Sequence, residues 1–389
     1  MLPDDKTRRV VERARALGFE LCGVAPAADF DELRHFPEWL ARGYAGEMEY
    51  LHDPRRASAE NVLAGARSVI VCALNFNAPL PYSTAVATDA QSTDDSRARS
   101  PRGWISRYAW GEDYHEVLGR KLDGLLEWMR GEFGGEFRAK AYVDTGPVLE
   151  RVAAKYAGLG WLGKNTCLIN QRAGSWFFLG VILTDLELAP SLARDDELPR
   201  DLCGTCRRCI DACPTGAIVE PYVLDARRCI AYLTIELRGA IPEEFRGAMG
   251  NMIFGCDICQ DVCPWNRKAP ASPLTEFLPR QIPANDGDAR DSESLFNPAL
   301  EWLISLDEEE FRKIFRGSPV KRAKWRGLIR NACVALGNSR MEAGSEERSR
   351  IMRKLRELSE SGDEIIAEHG RWALTRLTAS AAVAAHQSD

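Results

Sequence analysis

Eight of the twelve cysteines fall between residues 203 and 263, at the spacing of ligands to iron. Cys203, Cys206, Cys209 and Cys213 are separated by two, two and three residues, and Pro214 follows directly. This is the ligand run of a bacterial module holding two [4Fe–4S] clusters. Cys229, then Cys256, Cys259, Cys263 and Pro264, repeat the run with its first interval stretched. In such modules the last cysteine of a run serves the other run's cluster. Crossed pairing therefore predicts one cube on Cys203, Cys206, Cys209 and Cys263, and another on Cys213, Cys229, Cys256 and Cys259, with no ligand spare. Zinc is the competing reading of paired CxxC motifs. It has no use for a third cysteine at the same interval or for a proline after each terminal cysteine. The expected chemistry is single-electron transfer.

Such a module needs only about 60 residues, so most of the 389-residue chain has another task. Apolar positions Val10, Val11, Ala14 and Leu17 predict a helix over 4–17, and a strand follows over Glu20–Ala25. Ser68–Phe76 is apolar and β-branched, the pattern of a strand buried on both faces. Residues 78–103, rich in Pro, Ser, Thr and Asp, read as a surface loop. A helix capped within Glu112–His115 runs to about Met129. Strands at Arg138–Val143 and Trp176–Leu186 complete the pattern, with a helix expected to start at Pro147. The fold class is α+β. An α/β domain is expected over 1–197, a ferredoxin-like two-cluster module over 198–270, and a linker with a small helical, HEAT-like domain over 271–389.

The beginning of the chain is charged and helical without an apolar core, and no apolar run approaches eighteen residues. The expectation is a cytoplasmic protein with no membrane segment, whose thiolates sit in a reducing compartment. Cys22, Cys72, Cys167 and Cys333 lie in apolar stretches and read as small buried hydrophobes. Neither a G-x-G-x-x-G nor a G-x-x-x-x-G-K-[ST] fingerprint is present in the N-terminal part. The net charge of −6 argues against nucleic acid, but its distribution does not. Between Phe311 and Arg330 there are eight cations (Arg312, Lys313, Arg316, Lys321, Arg322, Lys324, Arg326 and Arg330) and no acid. Ordinary solvated faces mix signs, whereas one-sided charge around Trp325 suits phosphate contact with a ring for stacking. Arg207, Arg208, Arg227 and Arg228 could extend that track.

Several segments together resemble the epoxyqueuosine reductase family. They are Tyr108–His115, Val143–Arg151 (VDTGPVLER), Gly160–Asn165 (GWLGKN), Gly255–Asn266 (GCDICQDVCPWN) and Gly317–Trp325, followed by Arg330–Asn338. The resemblance covers nearly the whole chain in order, and the family in turn resembles reductive dehalogenases. It implies a cobalamin held by the N-terminal domain, fed by the two clusters, and used to reduce epoxyqueuosine to queuosine in tRNA with a GUN anticodon. It also implies a flavodoxin- or ferredoxin-type electron donor and a monomer. By the same resemblance Asp144 is the proton donor, although Asp before Thr-Gly-Pro is also a good helix cap. Expected cobalamin contacts are Arg56, Ser106, Asp144, Lys164, Asn165, Leu168, Ala231, Cys256 and Asp257. Ser106 stands where some members have cysteine, a departure that argues against a general thiol role there. His52 and His115 read as capping or surface histidines, not cobalt ligands. The tRNA contacts are expected at Lys321, Arg322, Lys324 and Arg326. Two other readings stay open at this point: a soluble cobalamin reductase for a small organohalide, and a two-cluster electron carrier with a docking domain.

Overall fold

The computed structural model describes residues 1–89, 100–192, 197–283 and 292–386. Four strands form the central sheet: β1 (Leu21–Pro26), β2 (Ser68–Asn75), β3 (Ala139–Tyr142) and β4 (Phe177–Thr184), in the order β1-β2-β4-β3. All neighbouring pairs are antiparallel. The domain expected as α/β over 1–197 is thus built on an antiparallel sheet. β2 is buried along its whole length for a different reason, because helices cover both faces of the sheet. Successive strand side chains point to opposite faces. Ile70, Cys72, Leu74 and Ile182 pack under α1 (Pro3–Ala16) and α2 (Tyr114–Phe133). Val69, Val71, Ala73, Val181 and Leu183 pack against α3 (Glu150–Tyr156).

Two local expectations change. The stretch 78–103 carries a helix at Ser83–Asp89, and its residues 90–99 lie outside the described ones. The helix expected from Pro147 starts at Glu150, and its N-cap, Leu149, offers no side-chain cap. Asp144 is therefore not a helix cap. It stands on a turn with φ of 58°, a left-handed backbone that Asp tolerates better than most residues.

A two-residue strand, Trp104–Ile105, pairs in parallel with Met252–Phe254 and brings residues 104–107 against the second cysteine run. α4 (Ile230–Ile235) begins directly after Cys229. Three helices close the chain: α5 (Lys324–Gly337), α6 (Glu346–Ser359) and α7 (Glu364–His386). One hydrophobic core joins Trp104, Ile230, Leu233 and Ile253 to Leu328, Ile329, Leu336, Ile351 and Ile366. The core therefore runs across the boundary expected at residue 270. Among the described residues no helix is long and apolar enough to cross a membrane.

Two adjacent side chains of α5 stitch that core together. Arg330, only 1% exposed, donates to the carbonyls of Leu233, Leu237 and Gly239 at 2.6–2.9 Å. Asn331 donates to Thr234 and Ile253, both at 2.8 Å. Arg330, read from sequence as part of a solvent-facing basic track, is a core residue. Burial and the nearby Arg238 and Arg326 hold its pKa down at about 10. Arg330→Met should leave buried carbonyls without donors and cost roughly 2–4 kcal/mol. Thermal melting of the cluster-loaded protein checks this, with Arg330→Lys expected to lose less.

Candidate active site

Cys203, Cys206, Cys209 and Cys263 line one cavity of about 200 Å³, together with Lys164, Asn165 and Trp265. Arg208 and Cys209, from the short helix Arg208–Asp211 inside the first run, form part of its wall, and the lining Trp265 packs edge-to-face on Trp161 at 5.1 Å. The buried indole N–H of Trp161 has no oxygen or nitrogen partner among the described residues and is turned to the Cys203 sulfur. A donor aimed at sulfur suits a thiolate-held cluster, whose potential such bonds tune. Burial raises the Cys263 thiol to about 11, and Cys203 and Cys209 add to the rise. Burial likewise raises Cys229 and Cys256, which feel Cys213 and, in the case of Cys256, Cys229. Cys259 is held up first by a hydrogen bond with Cys167 and by burial, then also by Cys256 and Cys229. Cys167, expected to be an inert hydrophobe, thus lies against a cluster cysteine.

A second constellation forms at the start of α2. Asp113, 3% exposed, caps the helix by accepting from the His115 N–H, and its Oδ1 also lies 2.7 Å from His115 Nδ1. His115 Nε2 faces Asp144 Oδ2 at 3.8 Å, and the Tyr114 hydroxyl donates to the same oxygen at 2.9 Å. Phe178, Tyr114 and His115 stack in a column at 4.4 and 4.1 Å, which fixes the planes of both rings. Asp144 keeps 68% of its side chain accessible. Burial works to raise its carboxyl, but the bonds from His115 and Tyr114 outweigh it and hold the pKa below the ordinary value. Burial works against charge on His115 too, and Asp113 and Asp144 overcome it, lifting the imidazolium to about 9. At neutral pH the resting pair is carboxylate and imidazolium.

His115 was missed as a site residue, since a histidine beside acids reads as a cap. The signal was the Asp-x-His spacing at a helix start, where one Asp can hold both the backbone and the ring. Arg56, expected near the site, is 8% exposed, donates to the Tyr50 and Val148 carbonyls, and lies beneath the Asp144 turn. Burial raises the neighbouring Glu150 carboxyl to about 8, and its Oε1 is buried with no partner among the described residues.

The other expected cofactor contacts are placed as follows. Lys164 turns its ammonium onto the carbonyls of Gly204 and Cys206 at 2.5 and 3.0 Å, and Asn165 donates to Cys259 at 3.3 Å. Both side chains serve cluster loops. Ser106 donates to Asp257 at 2.5 Å, and Trp104 and the Arg107 N–H donate to the same carboxyl at 3.0 and 2.8 Å. Gly255 stands at φ of 71°, and a Cβ there would meet that of Ser106 at 2.5 Å. Leu168 is in the core under α3, and Ala231 is half-buried in the first turn of α4.

The basic segment borders the Asp144 basin, but its charge is not unopposed. Lys321 pairs with Asp113 at 2.7 Å, Arg322 with Glu236 through two bonds of 2.7 and 3.0 Å, and Arg326 with Asp363 at 3.6 Å. The acids come from other elements, so the one-sided look of the sequence is local. Arg322 also lies over the Tyr50 ring at 5.8 Å. Lys324 is exposed at φ of 63°. Trp325 is half-buried and donates to Leu306, so its ring is partly committed to the fold.

Fold and site together define an iron–sulfur protein with two cluster sites and a separate acid–imidazole basin. The family profile described as a 4Fe-4S double cluster binding domain matches residues 202–266, and that described as epoxyqueuosine reductase QueG, DUF1730, matches residues 56–145. An epoxyqueuosine reductase from Pseudomonas aeruginosa is 39% identical over 379 residues, 96% of each chain. A crystal structure of epoxyqueuosine reductase with a tRNA-Tyr epoxyqueuosine-modified stem loop is 28% identical, with a TM-score of 0.77 over 95% of this chain and 89% of that one. An epoxyqueuosine reductase from Bacillus subtilis, its catalytic Asp loop swung out of the active site, is 28% identical with a TM-score of 0.76 over the same shares. The chain belongs to the epoxyqueuosine reductase family.

The raised pKa of His115 fixes the sign of a pH effect. Its pairing stabilises the fold fully below the unfolded value near 6.5, and that stability is lost as pH rises through about 9. The melting temperature of wild type minus that of His115→Gln should therefore shrink between pH 7 and 10. A difference that stays constant would mean that His115 titrates alike folded and unfolded.

Proposed function

We propose that this chain is a cytoplasmic, monomeric reductase that converts epoxyqueuosine to queuosine in tRNA with a GUN anticodon, using cobalamin fed by two [4Fe–4S] clusters. A flavodoxin- or ferredoxin-type protein is the electron donor. The observation that carries the reading is Asp144, an accessible carboxyl held by Tyr114 and His115 in a basin bordered by cations. The carboxyl is open to a substrate, and the imidazolium beside it holds a proton where a C–O bond must break. Relatives of the same name along nearly the whole chain support it, as does the stem loop bound to one related structure.

Cobalamin, when bound, would supply the reducing electrons. Arg56 and Glu150 would hold its edge. The unpartnered Glu150 oxygen, on a carboxyl that burial keeps neutral, suits the primary amides that fringe a corrin. Ser106, Leu168, Ala231 and the turn from Cys256 through Asp257 would face it from the cluster side, with Lys164 and Asn165 fixing the cysteine loops behind. Asp144 delivers a proton to the departing oxygen, a poor leaving group unless protonated. Its place on a turn outside any helix parallels the loop of the Bacillus subtilis relative. The HEAT-like C-terminal helices, with the turn before them, present Lys321, Arg322, Lys324 and Arg326 to the phosphates of the stem loop.

Crossed ligation is supported by the four cysteines that share one cavity. Cys263→Ala should then spoil the cube of Cys203, Cys206 and Cys209 and spare the other. EPR of the reduced variant showing loss of only the cube with Cys256 would refute the pairing. Asp144→Asn keeps the shape and can still accept from Tyr114, but carries no transferable proton. Clusters, cobalamin and stem loop should still bind, while turnover of epoxyqueuosine by the reconstituted protein falls roughly 10²-fold or more. Near-normal turnover in this variant would place the acid elsewhere.

A further inference from the structure

Taking an epoxide oxygen away as water consumes two electrons and two protons, and Asp144, held as a carboxylate, carries neither at rest. The first must be held within reach of Asp144 when substrate enters. Titratable or charged groups facing Asp144 are Tyr114 and His115 from α2, Glu150 and Arg151 from α3, and, further off, Tyr50, Tyr108 and Arg322. Burial pushes the phenols of Tyr50, Tyr108 and Tyr114 further from releasing a proton, and guanidinium groups keep theirs. His115 and Glu150 remain. Only His115 points a ring nitrogen at Asp144, and that nitrogen is buried with no hydrogen-bond partner among the described residues.

We infer that His115 stores the proton that loads Asp144 through Nε2, with Asp113 aiming the ring and Lys321 moderating the hold of Asp113 on it. The inference rests on the epoxide reduction proposed above. Asp113 Oδ1 occupies Nδ1 at 2.7 Å, which leaves Nε2 as the nitrogen that can give its proton away. The gap of 3.8 Å to Asp144 Oδ2 must close by about 1 Å, as hydrogen bonds at active sites commonly do on substrate binding. The stacked column holds the ring still, so the movement falls to the Asp144 turn. The groups facing His115 are Asp113 and Tyr114 on its own helix start and Asp144 opposite, and Lys321 sits on the far oxygen of Asp113 at 2.7 Å. That ammonium draws charge density from Asp113, so its pull on the imidazolium is weaker than a lone carboxylate's.

In the step itself the Nε2–H bond breaks and leaves its electron pair on nitrogen. The O–H bond forms from a lone pair of Asp144, and no electrons change owner. Both reducing electrons come from the reduction already described, and solvent supplies the second proton of the water formed and the one that recharges His115. Excluding solvent favours the transfer, because an ion pair becomes a neutral acid and a neutral imidazole.

Histidine ¹³Cε1 NMR on the protein with both clusters oxidised tests this, since the chain has only five histidines. His115 should titrate near 9 and fall toward the ordinary value in Asp113→Asn. The alkaline limb of epoxyqueuosine turnover should follow the same value. His115→Gln should lower turnover about 10-fold or more and lose that limb, while stem-loop affinity stays as in wild type. A wild-type His115 titrating at or below the ordinary value, or a His115→Gln variant with normal turnover and limb, would overturn the inference. So would loss of the limb in Glu150→Gln alone, which would make Glu150 the store. An inactive wild-type protein would refute the reduction itself, whereas an active one with an ordinary His115 refutes only the proton store.

Discussion

The carboxyl of Asp257 is the tie on which the arrangement of the sites depends. It lies between two cluster cysteines, is 2% exposed, and receives bonds from Trp104, Ser106 and the Arg107 backbone. Burial works to raise it, against the pull of these donors and of the Arg107 charge. Arg107 is itself anchored on the carbonyls of Ala78, Leu80 and Pro81, and the chain runs from it through Tyr108 and Trp110 to the Asp113 cap. One buried group therefore sets the turn at Cys256–Cys259 and the entry to α2 in a common frame. An unpaired carboxyl there would cost several kcal/mol, which keeps the three donors in place.

The basin built on that frame combines rigid and movable parts. Tyr114 and His115 are locked by stacking on Phe178, whose strand is central in the sheet. Asp144 stands opposite on bends between β3 and α3, with a backbone conformation that neither element imposes. A rigid donor face opposite a carboxylate on a turn lets the carboxylate move while its partners stay fixed.

Much of this was legible in the sequence wherever chemistry constrains spacing. Cysteine intervals pointed to a two-cluster module because a cube demands them, and the matching family profile falls on the same stretch; the apolar runs located all four strands of the sheet to within two residues at each end. Strand direction was not legible, because β2 is apolar on both faces whether helices cover a parallel or an antiparallel sheet. Arg330 and Lys321 look alike in sequence, and only packing shows that one holds core carbonyls and the other a carboxylate from a helix start some 200 residues earlier. The role of Asp144 depends on whether a helix begins at residue 147 or 150, a difference that local propensity does not resolve. His115 gains its meaning from two acids, of which only Asp113 is near it in sequence.

The internal pairing of the basic segment has a consequence for selectivity among polyanions. A free lysine or arginine releases condensed counterions from RNA when it meets a phosphate, and this gain is indifferent to sequence and shape. Lys321, Arg322 and Arg326 already have carboxylates of the same chain as counterions. A phosphate that approaches them exchanges one anion for another, with little net gain unless several contacts form at once. A polyanion meeting this segment would thus find three of its cations already paired, and would gain affinity there only where several ion pairs open together.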